Sequence, residues 1–186
     1  MTEFLRNEFA SNLGGHTVEI SLRRTSPTTH TIGESMPNWC NNRVSFYSEN
    51  EQDINKLYEI FNSENVFNKI LPSPDWKTTP NDKGELPRPR EMKRPDGTVF
   101  TTVDEFPDGS QDDRWYHWQI EHWGTKWDID QPECDDLDHN CFECSFVTAW
   151  SPAEGIFYAL REQYPDVEIS WFYDEPAMEI AGYLGK

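Results

Sequence analysis

Alternating apolar and polar residues mark the expected strands of this chain. The alternation is clear over 42–47 and longest over 141–150. A period of two is typical of a strand with one buried face, so both segments are predicted to be strands. Weaker patterns predict three more strands, over 125–129, 167–173 and 177–184.

Two segments repeat apolar residues with the spacing of an amphipathic helix. The clearest covers 51–62, and its apolar stripe consists of Ile54, Leu57, Tyr58 and Phe61. Asn50 precedes this segment in the N-cap position. The other covers about 152–163, where Ser151 and Glu154 have the spacing of a capping box around a proline at the first helical position.

A third predicted helix covers 114–123 and is rich in aromatic residues. Its two adjacent stripes contain Tyr116, Ile120 and Trp123, and Trp115, Trp118 and His122. Such a wide apolar face is typical of a helix that is buried on more than one side. Gly124 follows in the position where a glycine with positive φ ends a helix.

The order of elements predicts an α+β fold. Without a long insertion at about 72–123, the first six elements follow the β-α-β-β-α-β order of the ferredoxin-like fold. We therefore expect an antiparallel sheet with two helices on one face and an extra C-terminal strand. Proline and glycine punctuate the insertion, and a loop of this length is either functional or disordered.

Residues 1–35 differ from the remainder of the chain. They contain no tryptophan and end in a segment rich in serine, threonine and proline, over 25–31. We expect this segment to be either a poorly ordered extension or an upstream reading-frame artefact. Met36 would then be the functional start of a single domain that covers 36–186.

Three motifs resemble those of one known family. They are the opening 36–42 (Met-Pro-Asn-Trp-Cys-Asn-Asn), the stretch from Trp115 to Asp128, and 148–152 (Thr-Ala-Trp-Ser-Pro). In this order they resemble the YubB-type ferredoxin-like family of phages and conjugative plasmids, a domain of unknown function. The resemblance covers 36–186 and implies the fold and a mobile-element origin, but no reaction. His122 departs from the family, which usually has Asn at this position.

The charge balance is strongly acidic, with 34 acidic residues against 16 basic ones and a net charge of −18. Twelve acidic residues and two basic ones lie between Asp104 and Asp138. Such charge fits either a partner with a basic surface or plain solvation. Direct binding to nucleic acid is disfavoured, because affinity for phosphates depends on Lys and Arg.

The run 123–128 (Trp-Gly-Thr-Lys-Trp-Asp) contains the best candidate site residues. On a strand, Lys126 and Asp128 would share one face and could hold an anion or an aromatic group beside exposed indole rings. Alternatively, the indoles belong to the core and the two charges form a structural ion pair. The candidate binding residues are Trp118, Trp123, Lys126, Trp127, Asp128 and Trp150.

The four cysteines allow two interpretations. No segment resembles a membrane span or a signal peptide, so we expect a cytoplasmic protein with reduced thiols. A zinc site is the weaker alternative, because its spacing departs from that of standard zinc fingers. Its ligands would be Cys134, His139, Cys141 and Cys144.

Two functional hypotheses follow from the sequence. No catalytic constellation and no phosphate-binding loop is recognisable, and no cofactor is expected. The first hypothesis is therefore a non-enzymatic accessory protein that binds a basic surface of a host protein through its acidic region. The second is an enzyme or small-ligand-binding protein with a Trp-lined pocket around Lys126 and Asp128. Nothing in the sequence predicts the oligomeric state.

Overall fold

A computed structural model describes residues 38–185, which form a mixed α+β structure. The expectations about residues 1–35 and about Met36 lie outside the described residues. In chain order the elements are β1 (Trp39–Tyr47), α1 (Glu51–Phe61), α2 (Val66–Ile70), β2 (Arg88–Lys93), β3 (Val99–Glu105), α3 (Arg114–His122), β4 (Glu133–Cys134), β5 (Cys141–Ala149), α4 (Glu154–Gln163), β6 (Glu168–Glu175) and β7 (Ile180–Tyr183). Within this range, no helix is long and apolar enough to cross a membrane.

Five strands form one sheet in the order β4-β5-β1-β6-β7, and every neighbouring pair is antiparallel. β1 lies at the centre because it pairs with β5 along one edge and with β6 along the other. The predicted strands over 42–47, 141–150 and 167–173 are confirmed as β1, β5 and β6, with shifted ends. The extra C-terminal strand is confirmed as the shorter β7.

The core lies on one face of the sheet. Inward side chains of β1, β5 and β6, such as Phe46, Phe142 and Trp171, pack against buried residues of α1, α2 and α4. The predicted helix over 51–62 is confirmed as α1, and the Asn50 side chain caps it by accepting from the Gln52 N–H. The alternate residues of the same strands form the other face, which we call the open face.

The predicted strand over 125–129 is wrong. Gly124 adopts a φ of 86° and ends α3 as expected, but the chain then continues as an irregular segment. Its polar groups bond to other elements instead of a neighbouring strand: the Thr125 hydroxyl bonds both backbone groups of Ala149, and Asp128 bonds α2. The place expected for this strand in the sheet is taken instead by β4, which has two residues.

Two predictions about helices also fail. No residue of α3 is fully buried, so the expected burial of this helix on more than one side is wrong. The predicted capping box at the start of α4 is absent, because the Ser151 hydroxyl donates to the Gly124 carbonyl at 2.6 Å and Ala153 occupies the N-cap. α4 itself is confirmed, and its first turn is therefore tied to the end of α3.

The insertion contains a β-hairpin of β2 and β3. Arg114 fastens its base: the guanidinium pairs with Asp112 and donates to the carbonyls of Trp76 and Thr79. The same group lies 5.1 Å from the ring centroids of Trp76 and Phe106. The insertion therefore contains ordered structure, and the alternative of a disordered loop is wrong for this hairpin.

Candidate functional site

Lys126 is enclosed by aromatic rings. Only 7% of the residue is exposed, and its Nζ lies 4.5 Å from the Trp127 ring centroid and 5.7 Å from those of Trp150 and Tyr116. Trp127 stacks on Trp150 and also contacts Trp39. Cation–π contact stabilises a desolvated ammonium group, so the contacts with these rings indicate a structural role for Lys126.

Asp128 points away from that cluster and caps α2. Its Oδ1 accepts hydrogen bonds from the N–H groups of Phe67 and Ile129, and its Oδ2 accepts one from Asn68. These donors include N–H groups in the first turn of α2, which have no partner within the helix. Burial raises the pKa of Asp128, although the three donors act to lower it. The carboxylate therefore has a structural role that the sequence pattern did not predict.

Trp123 and Trp118 support the packing of α3. Trp123 is 1% exposed, and its Nε1 donates to the Leu71 carbonyl at 2.8 Å. Trp118 is half-buried against Trp123 and stacks on His122, whose Nδ1 donates to the Trp118 carbonyl. The six predicted binding residues thus do not converge on one site: Lys126, Trp127 and Trp150 meet, whereas Trp123 is buried in the core and Asp128 caps α2.

The prediction of four reduced thiols is wrong for two of them. Cys134 and Cys144 form a disulfide between directly opposed positions of β4 and β5. Cys40 is a buried thiol and Cys141 an exposed one. Sequence reasoning missed the bond because strand β4, which creates the juxtaposition, was itself not predicted.

The weaker zinc alternative also finds no site. Two of its four ligands, Cys134 and Cys144, are bonded to each other. His139 instead lies beside Asp138, which raises the pKa of the imidazole. Among residues 38–185, no three His, Cys, Asp or Glu side chains are arranged to hold a metal ion.

A cleft of about 630 Å³ lies at the end of the sheet where Tyr47, Cys141 and Glu168 meet. We call it the acidic cleft because five carboxylates line it: Asp135, Asp136, Asp138, Glu143 and Glu168. The first three belong to the loop after β4, and the last two to the strands β5 and β6. Exposed Tyr47 and Tyr183 line the same cleft and are 44% and 45% exposed.

Backbone bonds hold the loop over the cleft. The Asp135 N–H donates to the Glu143 carbonyl, which extends the β4–β5 pairing by one residue. Asp138 and Cys141 exchange two backbone bonds and close the turn, and the Ser48 N–H donates to the Asn140 carbonyl. The carboxylates of the loop are thus placed beside those of the strands.

Only some of this negative charge is neutralised. Glu143 accepts from the Ser45 hydroxyl and lies 3.7 Å from Arg43, and Asp138 pairs with His139. In the part of the chain that the structure describes, no cationic side chain lies within 4.0 Å of the carboxylates of Asp135, Asp136 or Glu168. The cleft therefore attracts cationic groups.

An aromatic row adjoins the acidic cleft on the open face. Phe172 packs edge-on against Tyr183 at 5.3 Å, and the Arg43 guanidinium lies 5.8 Å from the Phe172 ring centroid. This surface was not predicted from the sequence, although the sequence shows both the acidic residues between Asp104 and Asp138 and the alternating pattern over 141–150. The acidic loop and the polar face of β5 come together through the strand register, and the hydrophobic pattern alone does not determine that register.

No protein-family model, no curated protein and no solved structure matches this chain. The chemistry of the acidic cleft therefore has to be inferred from its own residues.

Proposed function

We propose that this protein is a non-enzymatic binding module that holds a lysine- or arginine-rich segment of another protein in the acidic cleft. The observation that carries the proposal is the combination, in one concave surface, of two exposed tyrosines with three carboxylates that have no cationic neighbour among the described residues. Long cationic side chains match both features, because they pair with carboxylates and pack on aromatic faces.

Charge favours a basic polypeptide over the other classes of ligand. A nucleic-acid backbone would be repelled by the cleft and by the net charge of −18. A single metal ion would need converging ligands, whereas these carboxylates are spread over a loop and two strands. An extended basic segment makes several separate contacts, which suits carboxylates that are spread over a loop and two strands.

The small-ligand alternative around Lys126 and Asp128 has less support. Asp128 is occupied by three backbone N–H groups, and the ammonium group of Lys126 faces aromatic rings. A substrate would have to displace these contacts. We therefore propose the acidic cleft, rather than the whole acidic region 104–138, as the surface that binds a host protein.

The ferredoxin-like arrangement and the mobile-element origin also remain proposals. The strand order is consistent with the first, because β4, β5, β1 and β6 take the places of the second, third, first and fourth strands of a β-α-β-β-α-β unit. The cytoplasmic location is likewise a proposal, and the disulfide weighs against it unless the bond opens in a reducing compartment.

A charge-matched pair of variants tests the proposed function. The cleft variant combines Asp135→Asn, Asp136→Asn and Glu168→Gln. The control variant removes the same number of charges from exposed helical positions, with Glu59→Gln, Glu121→Gln and Glu162→Gln. The probe is a fluorescent peptide of alternating lysine and serine, and its Kd is measured by anisotropy at low and at physiological salt.

The cleft variant should bind the peptide about tenfold more weakly than the wild type, since three charge pairs of roughly 0.5 kcal/mol each approach the 1.4 kcal/mol of a tenfold change. The control variant should change Kd less than about twofold, and added salt should weaken the wild type most. Equal weakening by both variants would show that binding depends only on net charge, and this result would contradict the proposal.

A further inference from the structure

The disulfide lies at the point where the acidic loop leaves the sheet. Cys134 is the last residue of β4, and Asp135 and Asp136 follow it directly. Cys144 lies opposite on β5, one residue from Glu143, which lines the acidic cleft. The covalent bond therefore joins the loop that supplies three carboxylates to the strand that supplies a fourth.

Few other contacts hold β4 against β5. β4 pairs through two residues only, Glu133 with Ser145 and Cys134 with Cys144. Beyond them, the start of the loop is held near the sheet by the Asp135 N–H to Glu143 carbonyl bond and by the partly buried Leu137, whereas the Asp138–Cys141 and Ser48–Asn140 bonds hold its far end. A two-residue edge strand contributes little stability by itself, so the disulfide is the main restraint on the end of the loop that carries Asp135 and Asp136.

We infer that the Cys134–Cys144 disulfide is a redox latch that keeps the acidic cleft in its binding-competent form, and that reduction by a dithiol reductant weakens the binding of basic segments. This inference rests on the proposed function of the acidic cleft. It specifies how that binding is regulated and by which chemical class of reactant.

The exposure of the two cysteines determines which sulfur atom a reductant attacks in thiol–disulfide exchange. Cys144 is fully buried, whereas Cys134 is partly exposed, so a reductant thiolate attacks the Cys134 sulfur. The S–S bond breaks, Cys144 leaves as a thiolate and takes up a proton, and a mixed disulfide forms on Cys134. The second thiol of the reductant then displaces Cys134. Two electrons and two protons have passed to the protein, and the reductant leaves as a disulfide.

Reduction leaves the core intact but loosens the loop. Cys144 remains a small apolar side chain within the core, so no cavity opens there. The loop carboxylates are no longer fixed beside Glu143 and Glu168, and binding a basic segment must then order them. The free Cys141 lies on the open face of β5, away from the core-facing Cys144, and takes no part in the latch.

Two readouts on the full chain test the inference. The first is hydrogen exchange of the Asp135 amide, compared with amides of the β1–β6 ladder. The second is the Kd of the lysine–serine peptide. Both are measured for the oxidised protein, for the protein reduced with dithiothreitol, and for a Cys134→Ser/Cys144→Ala variant. A Cys40→Ala variant serves as the control, because it keeps the disulfide and Cys40 does not line the acidic cleft.

Reduction should speed exchange at Asp135 about tenfold or more, leave the β1–β6 ladder protected, and weaken peptide binding about fivefold to tenfold. The double variant should behave as the reduced protein, and the Cys40→Ala variant should respond to reduction as the wild type does. Unchanged exchange at Asp135 after confirmed reduction would overturn the latch. Failure of the oxidised protein to bind the peptide would instead contradict the proposed function, and the exchange data would then decide the latch alone.

Discussion

The run 123–128 and the acidic cleft use polar and aromatic residues in opposite ways. In the run, every conspicuous side chain has an internal partner: Trp123 bonds Leu71, Asp128 caps α2, and Lys126 faces aromatic rings. In the cleft, carboxylates such as Asp136 remain without a cationic partner among the described residues. The aromatic run 123–128 thus has a structural role, whereas the acidic loop after β4 supplies part of the candidate binding surface.

The largest expected effect is a loss of stability when Trp123 is removed from the core. Trp123→Ala should lower the free energy of unfolding by about 3–5 kcal/mol, because it empties a fully buried site and leaves the Leu71 carbonyl without its donor. Trp39→Ala, at a site 45% exposed, should cost about 1 kcal/mol or less. Urea denaturation measures both, and equal losses would place Trp123 outside the structural core.

Removing the disulfide should have the next largest effect on stability. The bond closes a short loop with a sequence separation of 10, so its loss should cost about 2–3 kcal/mol in the chain-entropy account. Urea denaturation with and without dithiothreitol provides the measurement. Thiol titration of the denatured chain should find two thiols before reduction, Cys40 and Cys141, and four after it. Four thiols in the oxidised preparation would contradict the bond.

Asp128→Ala should destabilise the fold by about 2 kcal/mol, since it removes the acceptor of three backbone N–H groups and uncaps α2. Asp130→Ala is the matched control, because Asp130 is exposed and accepts one N–H bond, from Asn65. The control should cost about 1 kcal/mol or less. A larger loss at Asp130 than at Asp128 would reverse the assignment of the cap.

Asp128 should also introduce a pH dependence. Because burial raises its folded pKa above the unfolded value, the folded state binds more protons between the two values. The stability that this group contributes is full below the unfolded pKa, about 4, and is lost as the pH rises through the folded pKa. The free energy of unfolding of the wild type, relative to Asp128→Asn, should therefore fall over that window. A relative increase with pH would show that the three N–H donors dominate.

The smallest expected effect on stability belongs to the cleft. The variant Asp135→Asn/Asp136→Asn/Glu168→Gln should change the free energy of unfolding by no more than about 0.5 kcal/mol, because these side chains have no ion pairs to lose within the described structure. Removing mutual repulsion should make the change stabilising rather than destabilising. Thermal unfolding at low salt would detect a loss above 1 kcal/mol, which would assign the carboxylates a structural role.

Periodicity predicted the parts of the fold that depend on local patterns. Helices α1, α3 and α4 and the central strands β1, β5 and β6 follow directly from apolar spacing and from turn residues. The segment 125–129 was mispredicted because its alternating pattern is overridden by side-chain bonds to distant residues, such as Thr125 to Ala149. Local propensity does not include such contacts.

The candidate site was less predictable for the same reason. The sequence shows a concentration of acidic residues between Asp104 and Asp138, but the placement of Glu168 beside the last of them depends on how β6 and β5 register against β1. The disulfide likewise depends on a strand of two residues, too short to leave a pattern. Both features arise from tertiary pairing, which a single sequence does not determine.

The most direct test of the central claim sets the two regions against each other in one binding measurement. The Kd of the lysine–serine peptide is compared for the oxidised wild type, the cleft variant, and a Lys126→Met variant that retains the aliphatic stem among the indole rings. The account predicts about tenfold weaker binding for the cleft variant and an unchanged Kd for a folded Lys126→Met protein. Wild-type affinity in the cleft variant, with binding lost in Lys126→Met, would contradict it.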